Sequence, residues 1–400
     1  MRWSVLNRFV QGAFCFLSEK EVICVDQFSL KTKIVMGDAL ADLAAGYHKV
    51  FIVTDHFMAE SGMVKYVTER LDKGGTEYQI FSDVHPDPDI GTIAKGVGSI
   101  QDFQPEAVVA FGGGAALDAA KATVYFARRQ AGLSEVVFIA IPTTSGTGSE
   151  VTSFSVITDP EKEIKYPLID DSLLPDVAVL DPQLTASIPP KISADTGMDV
   201  LTHAVEAYVS TGHNDFTDAL AEKSIRLVNS HLLSVFLHPE DMRAHQGMHN
   251  ASCLAGLAFN AAGLGLNHGM AHALGAMFHI PHGRANAILL PYVMSFNASV
   301  DGSPTETTAR YAQIAGLVGM ETINDRQAAV SLIRWTRRLA DKLKMPATLR
   351  DAGVDEKAFE EALPKIAAAA IADRCNGTNP RPCTEEQAAE LFRRAYNGKL

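Results

Sequence analysis

Hydrophobic positions follow two regimes along the chain. Between residues 28 and 182, short β-branched runs alternate with stretches of helical periodicity. KVFIVTD (49–55), YQIFSDV (78–84), AVVAFGGG (107–114), VVFIAIPTT (136–144) and VAVLD (177–181) read as strands, with helices expected over 63–73, 90–103 and 115–129. That alternation predicts an α/β domain with a mostly parallel, Rossmann-like sheet covered by helices. Beyond SIPPKISADTG (187–197), whose paired prolines mark a boundary, the strand texture stops. Ala-rich helical patterns then run to the C-terminus. Three parts are expected: an extension of residues 1–27, an α/β domain over 28–190, and an all-helical domain over 191–400.

In the extension, Val5, Leu6, Phe9, Val10, Ala13, Phe14 and Leu17 recur at helical spacing, which predicts an amphipathic helix. Two early arginines and the apolar patch resemble a signal peptide. However, Arg8 and Gln11 interrupt the patch, and it lacks a convincing small-residue cleavage site. The helix either packs on its own domain or a partner subunit, or serves as a targeting element.

Composition narrows the function classes. The 400 residues are enough for two cores, and 47% hydrophobic with 20% charged residues is a globular balance. A net charge of −12, with no basic run longer than Arg337-Arg338, excludes nucleic acid as a partner. No run of 18 apolar residues exists to span a membrane. Five scattered cysteines without a C-x-x-C are read as free thiols of a cytoplasmic protein. The sequons at Asn250, Asn297 and Asn376 are then chance matches.

Ligands of parallel sheets sit beyond the carboxyl ends of the strands. There Gly112, Gly113 and Gly114 lead into a helix, so backbone N–H groups and the positive dipole end can face a phosphate. The next strand ends in PTTSGTGSE (142–150), which offers further donors through Thr143, Thr144 and Thr147. Asp118 is counted with these cofactor contacts. Asp55, at the end of another strand, can accept from a ribose hydroxyl and repel a 2′-phosphate, or merely cap the helix that follows.

Ten of the thirteen histidines lie between His203 and His282. Asp199 and His203 are spaced i,i+4, as are His268 and His272, so each pair shares one helix face. In HIPHG, Pro281 ends the helix and frees His282 to turn inward. Carboxylate and imidazole donors so placed suit Fe(II), Zn or Mn rather than a thiolate metal. The bland alternative for each histidine is a satisfied core residue.

GGGAALDAAKA, IPTTSGTGSEVT, TGMDVLTHAVEAY and GLGLNHGMAHALGAMFHIPHGRANAILLP, together with TNPRP, resemble the iron-containing (group III) alcohol dehydrogenases. Within them the likeness is to propanol and ethanol dehydrogenases of bacterial microcompartments. The resemblance implies an enzyme that uses NAD and Fe(II), with Zn as the alternative metal, to interconvert a short-chain primary alcohol and its aldehyde. It places the metal ligands on Asp199, His203, His268 and His282, and a non-ligand histidine near the reacting centre on His272. The glycine triplet and residues 143–147 would hold NAD, with Lys165 a further contact and Asp55 selecting NAD. Two positions depart from the family pattern. Ala115 stands where Ser is usual, and Phe154 stands where diol-handling members carry Asn. Phe154 and Phe259 are assigned to the substrate pocket. A homo-oligomer is expected, with residues 1–25 as a candidate contact for a microcompartment shell protein. The rival readings are a zinc polyol dehydrogenase, a dehydroquinate-synthase-like lyase, and a structural metal-binding protein.

Overall fold

The computed structural model describes residues 28–400 apart from 131, 161–163 and 322, together with the backbone of three short strands nearer the N-terminus. Those strands, β1 (Phe9–Val10), β2 (Ala13–Leu17) and β3 (Val22–Asp26), pair antiparallel in that order. The amphipathic helix expected across residues 5–17 is thereby corrected wherever the backbone is described. AFCFL and VICVD are rich in aromatic and β-branched residues, which suit a pleated surface better than a helix. The rest of that expectation lies outside the described residues.

The α/β region is built on β4 (Lys33–Met36), β5 (Lys49–Asp55), β6 (Glu77–Val84), β7 (Ala107–Gly112), β8 (Val137–Pro142) and β11 (Val177–Leu180). They form one parallel sheet in the order β4-β11-β8-β7-β5-β6. β9 (Phe154–Asp159) and β10 (Ile164–Ile169) make a separate antiparallel hairpin. Helices α1 (Leu40–Ala44), α2 (His56–Glu60), α3 (Lys65–Gly74), α4 (Ile90–Phe103) and α5 (Gly114–Gln130) cover the sheet.

Strand pleat decides which cover each residue meets. Phe51, Val53, Val108, Ala110 and Phe138 pack with Ile93 and Ile100 of α4 and Leu117 and Val124 of α5. Their neighbours Val50, Ile52, Val109, Phe111 and Ile139 pack on the other side with Leu40 of α1 and Val67 and Leu71 of α3. Both faces are therefore dry, as a parallel sheet requires. Full burial of a side chain such as Phe111 contributes roughly 1.5–3 kcal/mol.

The rest is mostly helical: α6 (Pro190–Val209), α7 (Asp215–Leu237), α8 (Met242–Ala262), α9 (Leu266–Phe278), α10 (His282–Asn297), α11 (Glu306–Leu317), α12 (Asp325–Lys342), α13 (Glu356–Ala372) and α14 (Glu385–Asn397). Pro190 at the first position of α6 has no N–H to leave unpaired there. One core gathers α6, α7 and α8, and a second gathers α9, α10, α13 and α14. No helix among the described residues is long and apolar enough to cross a membrane.

Candidate metal centre and nucleotide crevice

Sheet growth reverses at β5: the chain steps outward to β6, then returns to the opposite side of β5 as β7. Such a reversal opens a crevice beyond the carboxyl ends of the two neighbouring strands. Asp55 ends β5 and Gly112 ends β7. A Cβ on Gly112 would lie 2.7 Å from Ala116 Cβ and 3.2 Å from Asp55 Oδ2, and its φ is +150°. Space and backbone alike demand glycine. A Cβ on Gly114 would meet Thr147 Cγ2 at 2.8 Å, while Gly113 faces Thr144 at 3.6 Å. The glycine triplet and the hydroxyl-rich loop thus lie against each other, at the N-terminus of α5, where the first N–H groups have no partner within the helix. In the same loop Thr143 Oγ1 is buried without a hydrogen-bond partner. Asp55 does cap α2, accepting from Met58 N at 2.9 Å through Oδ1, while Oδ2 faces Gly112.

Asp118 accepts from Ser149 Oγ at 2.6 Å and Val156 N at 3.1 Å, so both its oxygens brace the loop against the hairpin. Beside it, Lys121 Nζ donates to Thr152 Oγ1 at 2.9 Å and to the Phe154 carbonyl at 3.0 Å. Burial brings Lys121 down to about 8, against the opposing pull of Asp118 and Glu150. Burial likewise raises Glu150 to about 7. Lys165 lies on β10 opposite Thr158, and its side chain is outside the described part of the structure.

Three helices build the second feature. Asp199, His203 and Glu206 lie on one face of α6, His268 and His272 on α9, and His282 opens α10 after Pro281. His279, the remaining histidine of that stretch, ends α9 in the left-handed conformation with φ of 54°. One donor atom from each of Asp199, His203, His268 and His282 lies within 4.8 Å of the others. Asp199 Oδ1 is 3.8 Å from His268 Nε2 and 3.5 Å from His282 Nε2.

The surroundings prepare these donors. Glu206 hydrogen-bonds His268 Nδ1 and accepts from Asn267 N at 2.7 Å. That contact fixes the ring and leaves Nε2 turned to the cluster. Asn286 Nδ2 donates to Asp199 Oδ1 at 2.6 Å and lies 3.2 Å from Nε2 of both His268 and His282. Burial lowers His203 to about 3, outweighing Asp199. For His268 burial acts downward too, but Glu206 and Asp199 overcome it and hold the ring at about 9. Burial disfavours the Asp199 carboxylate, yet His203, His282 and His268 keep it well below the usual range. The cluster is therefore a buried carboxylate among imidazoles, in a field that calls for positive charge.

An aromatic row leads out of it. The His203 ring stacks on His268 at 4.5 Å on one side and on Phe259 at 4.5 Å on the other. Phe259 meets Phe154, at the start of the hairpin, at 5.6 Å. His272 stands at the more exposed side, its ring stacked on His282 at 5.3 Å and its Nδ1 2.9 Å from Asp373 Oδ2. All four expected metal-binding residues are thus brought together, with His272 and both expected pocket phenylalanines beside them.

Comparison with known proteins bears directly on this pairing of crevice and cluster. The family model for iron-containing alcohol dehydrogenase matches residues 32–182, and that for the C-terminal part of the Fe-containing alcohol dehydrogenase family matches 193–396. The chain belongs to the iron-containing alcohol dehydrogenase family. The dehydrogenase is 46% identical over 369 residues to the 1-propanol dehydrogenase PduQ of Citrobacter freundii, covering 91% of this chain and 98% of that one. It is 41% identical over 355 residues to the NADPH-dependent butanol dehydrogenase of Clostridium saccharobutylicum, covering 85% and 89%. The crystal structure of a 1,3-propanediol oxidoreductase superposes with a TM-score of 0.86 at 33% identity, covering 92% of this chain and 99% of that one. The dehydrogenase is therefore an enzyme of alcohol and aldehyde chemistry, which sets aside the lyase and structural-protein alternatives.

Sequence reasoning missed Glu206, Asn286 and Asp373. Glu206 and Asn286 carry a usable signal, lying seven residues after Asp199 and four after His282 on the same helices. Asp373 has none, because its contact with His272 spans 101 residues.

Proposed function

We propose that the dehydrogenase interconverts a short-chain primary alcohol, such as 1-propanol or ethanol, and its aldehyde, using NAD and Fe(II), with Zn as the alternative metal. One observation carries this reading: the aromatic row from His203 through Phe259 to Phe154 joins the Asp/His₃ cluster to the hairpin braced on the nucleotide loop. The donor chemistry fits a divalent cation of borderline character, and it contains no thiolate. The glycine cradle and the partnerless Thr143 hydroxyl fit a dinucleotide.

When bound, the cation supplies Lewis acidity toward the alcohol oxygen, and the nicotinamide accepts or returns the hydride. Asp199, His203, His268 and His282 would hold the cation, with Glu206 and Asn286 orienting them. Phe259 and Phe154 exclude water and offer an apolar wall, which favours a simple alkyl chain over a second hydroxyl. His272, at the exposed side, carries the proton between the reacting oxygen and solvent, with Asp373 holding its ring. Asp55 favours NAD, because a 2′-phosphate beside its carboxylate would meet like charge. The resemblance to microcompartment dehydrogenases also supports a cytoplasmic homo-oligomer housed in such a shell, with residues 1–25 docking on a shell protein.

Elemental analysis of protein purified without oxygen, combined with NADH oxidation on a panel of aldehydes, tests the central claim. Stoichiometric iron or zinc with fastest turnover of propionaldehyde or acetaldehyde is expected. Stoichiometric metal without turnover of any short aldehyde would refute it. A fluorescent protein carrying residues 1–25 should gather in puncta with an assembled shell. A diffuse signal beside normal shells would count against docking.

A further inference from the structure

Behind His272 stands a second set of donors. One atom each from His272, Asp373 and Cys375 lies within 4.8 Å of the others. Among the described residues this is the other metal-capable group, and it differs from the first in containing sulfur. Local structure holds it in place. Asp373 follows the end of α13, and its Oδ1 accepts from Cys375 N at 2.8 Å, which folds the thiol back beside the carboxylate. Its other oxygen, Oδ2, faces His272 Nδ1 at 2.9 Å. The two segments approach this closely because α9 carries Gly269. A Cβ there would lie 2.9 Å from the Ala370 carbonyl and 3.2 Å from Asp373 Cβ.

We propose that His272, Asp373 and Cys375 form a second cation site, of Zn²⁺ chemistry, whose filling withdraws His272 from turnover. Imidazole, carboxylate and thiolate are zinc ligands, and three protein donors with an open fourth position are a common zinc arrangement. Zn–N, Zn–O and Zn–S bonds of about 2.0–2.3 Å put tetrahedral ligands roughly 3.3–3.8 Å apart. No pair of donors needs to close by more than about 1.5 Å, within reach of side-chain adjustment. The fourth position has access to water, because the His272 side chain is 45% exposed. Zinc would replace the Cys375 thiol proton, which leaves to solvent, and would take the Nδ1 lone pair of the neutral imidazole in place of the hydrogen bond to Asp373. The binding half stands on donor geometry alone. The inhibitory half rests on the role proposed above for His272.

The test uses holoenzyme that already carries its first equivalent of metal, titrated with Co(II) without oxygen. The second equivalent should produce a thiolate-to-cobalt charge-transfer absorption in the near ultraviolet. Cys375→Ser and Cys375→Ala should each abolish that band while keeping the first equivalent and the turnover measured without added metal. Added zinc should inhibit the unmutated enzyme reversibly, and Cys375→Ser should need about 100-fold more of it. No charge-transfer band from the unmutated enzyme, or an equal band from both variants, would overturn the site. A band that disappears with Cys375→Ser but brings no loss of turnover would keep the site and overturn its coupling to His272.

Discussion

Gly283 follows the expected ligand His282 at the point where α10 crosses α6. A Cβ at this position would lie 2.0 Å from the Asp195 carbonyl oxygen, 2.6 Å from its carbon and 3.2 Å from Asp199 Cβ. Ordinary contact begins at 3.4 Å, so Gly283→Ala must move the helices apart by about 1.4 Å along that line. The obstacle is backbone and cannot rotate away. Arg284 resists the separation, gripping Asp195 with two hydrogen bonds of 3.1 and 2.7 Å. Overpacking of this kind costs about 1–3 kcal/mol of stability. The larger effect falls on the cluster, because the shift widens the 3.5 Å spacing between His282 Nε2 and Asp199 Oδ1. A misplacement near 1 Å costs about 100-fold in a positioned site, equivalent to ~3 kcal/mol. Competition against a chromophoric chelator gives the metal affinity, and thermal unfolding gives the stability. Gly275→Ala on α9 is the control, since its nearest contact, the Ile280 carbonyl, is at 3.7 Å and the helix should gain up to about 1 kcal/mol. If Gly283→Ala bound metal as tightly as the unmutated enzyme, this crossing would not be what sets the donor spacing.

Asp199→Ala should lose the metal, whereas His272→Ala should keep it and lose about 10²–10⁴-fold in turnover, both read from metal content alongside rates; loss of metal from His272→Ala would make that residue a ligand. Asp55→Asn retains an acceptor for Met58 N but removes the charge, so discrimination against NADPH should fall about tenfold, and an unchanged ratio of kcat/KM values would contradict the proposed role. Glu150 is held at about 7 by burial, above its ordinary 4.5, so the fold prefers its protonated form. The stability this lends is complete below about pH 4.5 and is lost as pH rises through about 7. Glu150→Gln should therefore flatten Tm against pH in that window, and parallel curves for the two proteins would show that Glu150 is not the group responsible.

The central strands were legible because each is a short β-branched run with a turn behind it. KVFIVTD coincides with β5, and AVVAFG with β7. β4 and the β9–β10 hairpin escaped notice. β4 is only four residues long and lies at the edge of the sheet, where one side has no ladder partner among the described residues. The ligand candidates were legible because i,i+4 spacing places two side chains on one helix face whatever the tertiary fold. Which helices would converge was not, since α6 and α10 meet through residues almost ninety positions apart. The first apolar patch was misread because seven of the nine apolar residues between 5 and 17 fall on a helical stripe, while the unbroken run AFCFL suits a pleated strand equally well.

Among the described residues the β9–β10 hairpin forms a two-stranded sheet of its own, outside the six-stranded sheet, with a single bridge from Thr158 to Asp89. It is moored against α4 and α5, through Thr158 N to the Pro88 carbonyl, Val156 N to Asp118 and the burial of Ile157 beside Ile93 and Leu117. Its first residue is Phe154, opposite Ile169, and that phenyl ring forms the outer end of the aromatic row. A change of side chain at this position therefore leaves the six-stranded sheet untouched and reaches the Asp/His cluster only through Phe259. If Phe154 lines the alcohol pocket as proposed, chain length and polarity of the substrate become adjustable on a hairpin outside the main sheet, while the crevice and the cluster are inherited intact.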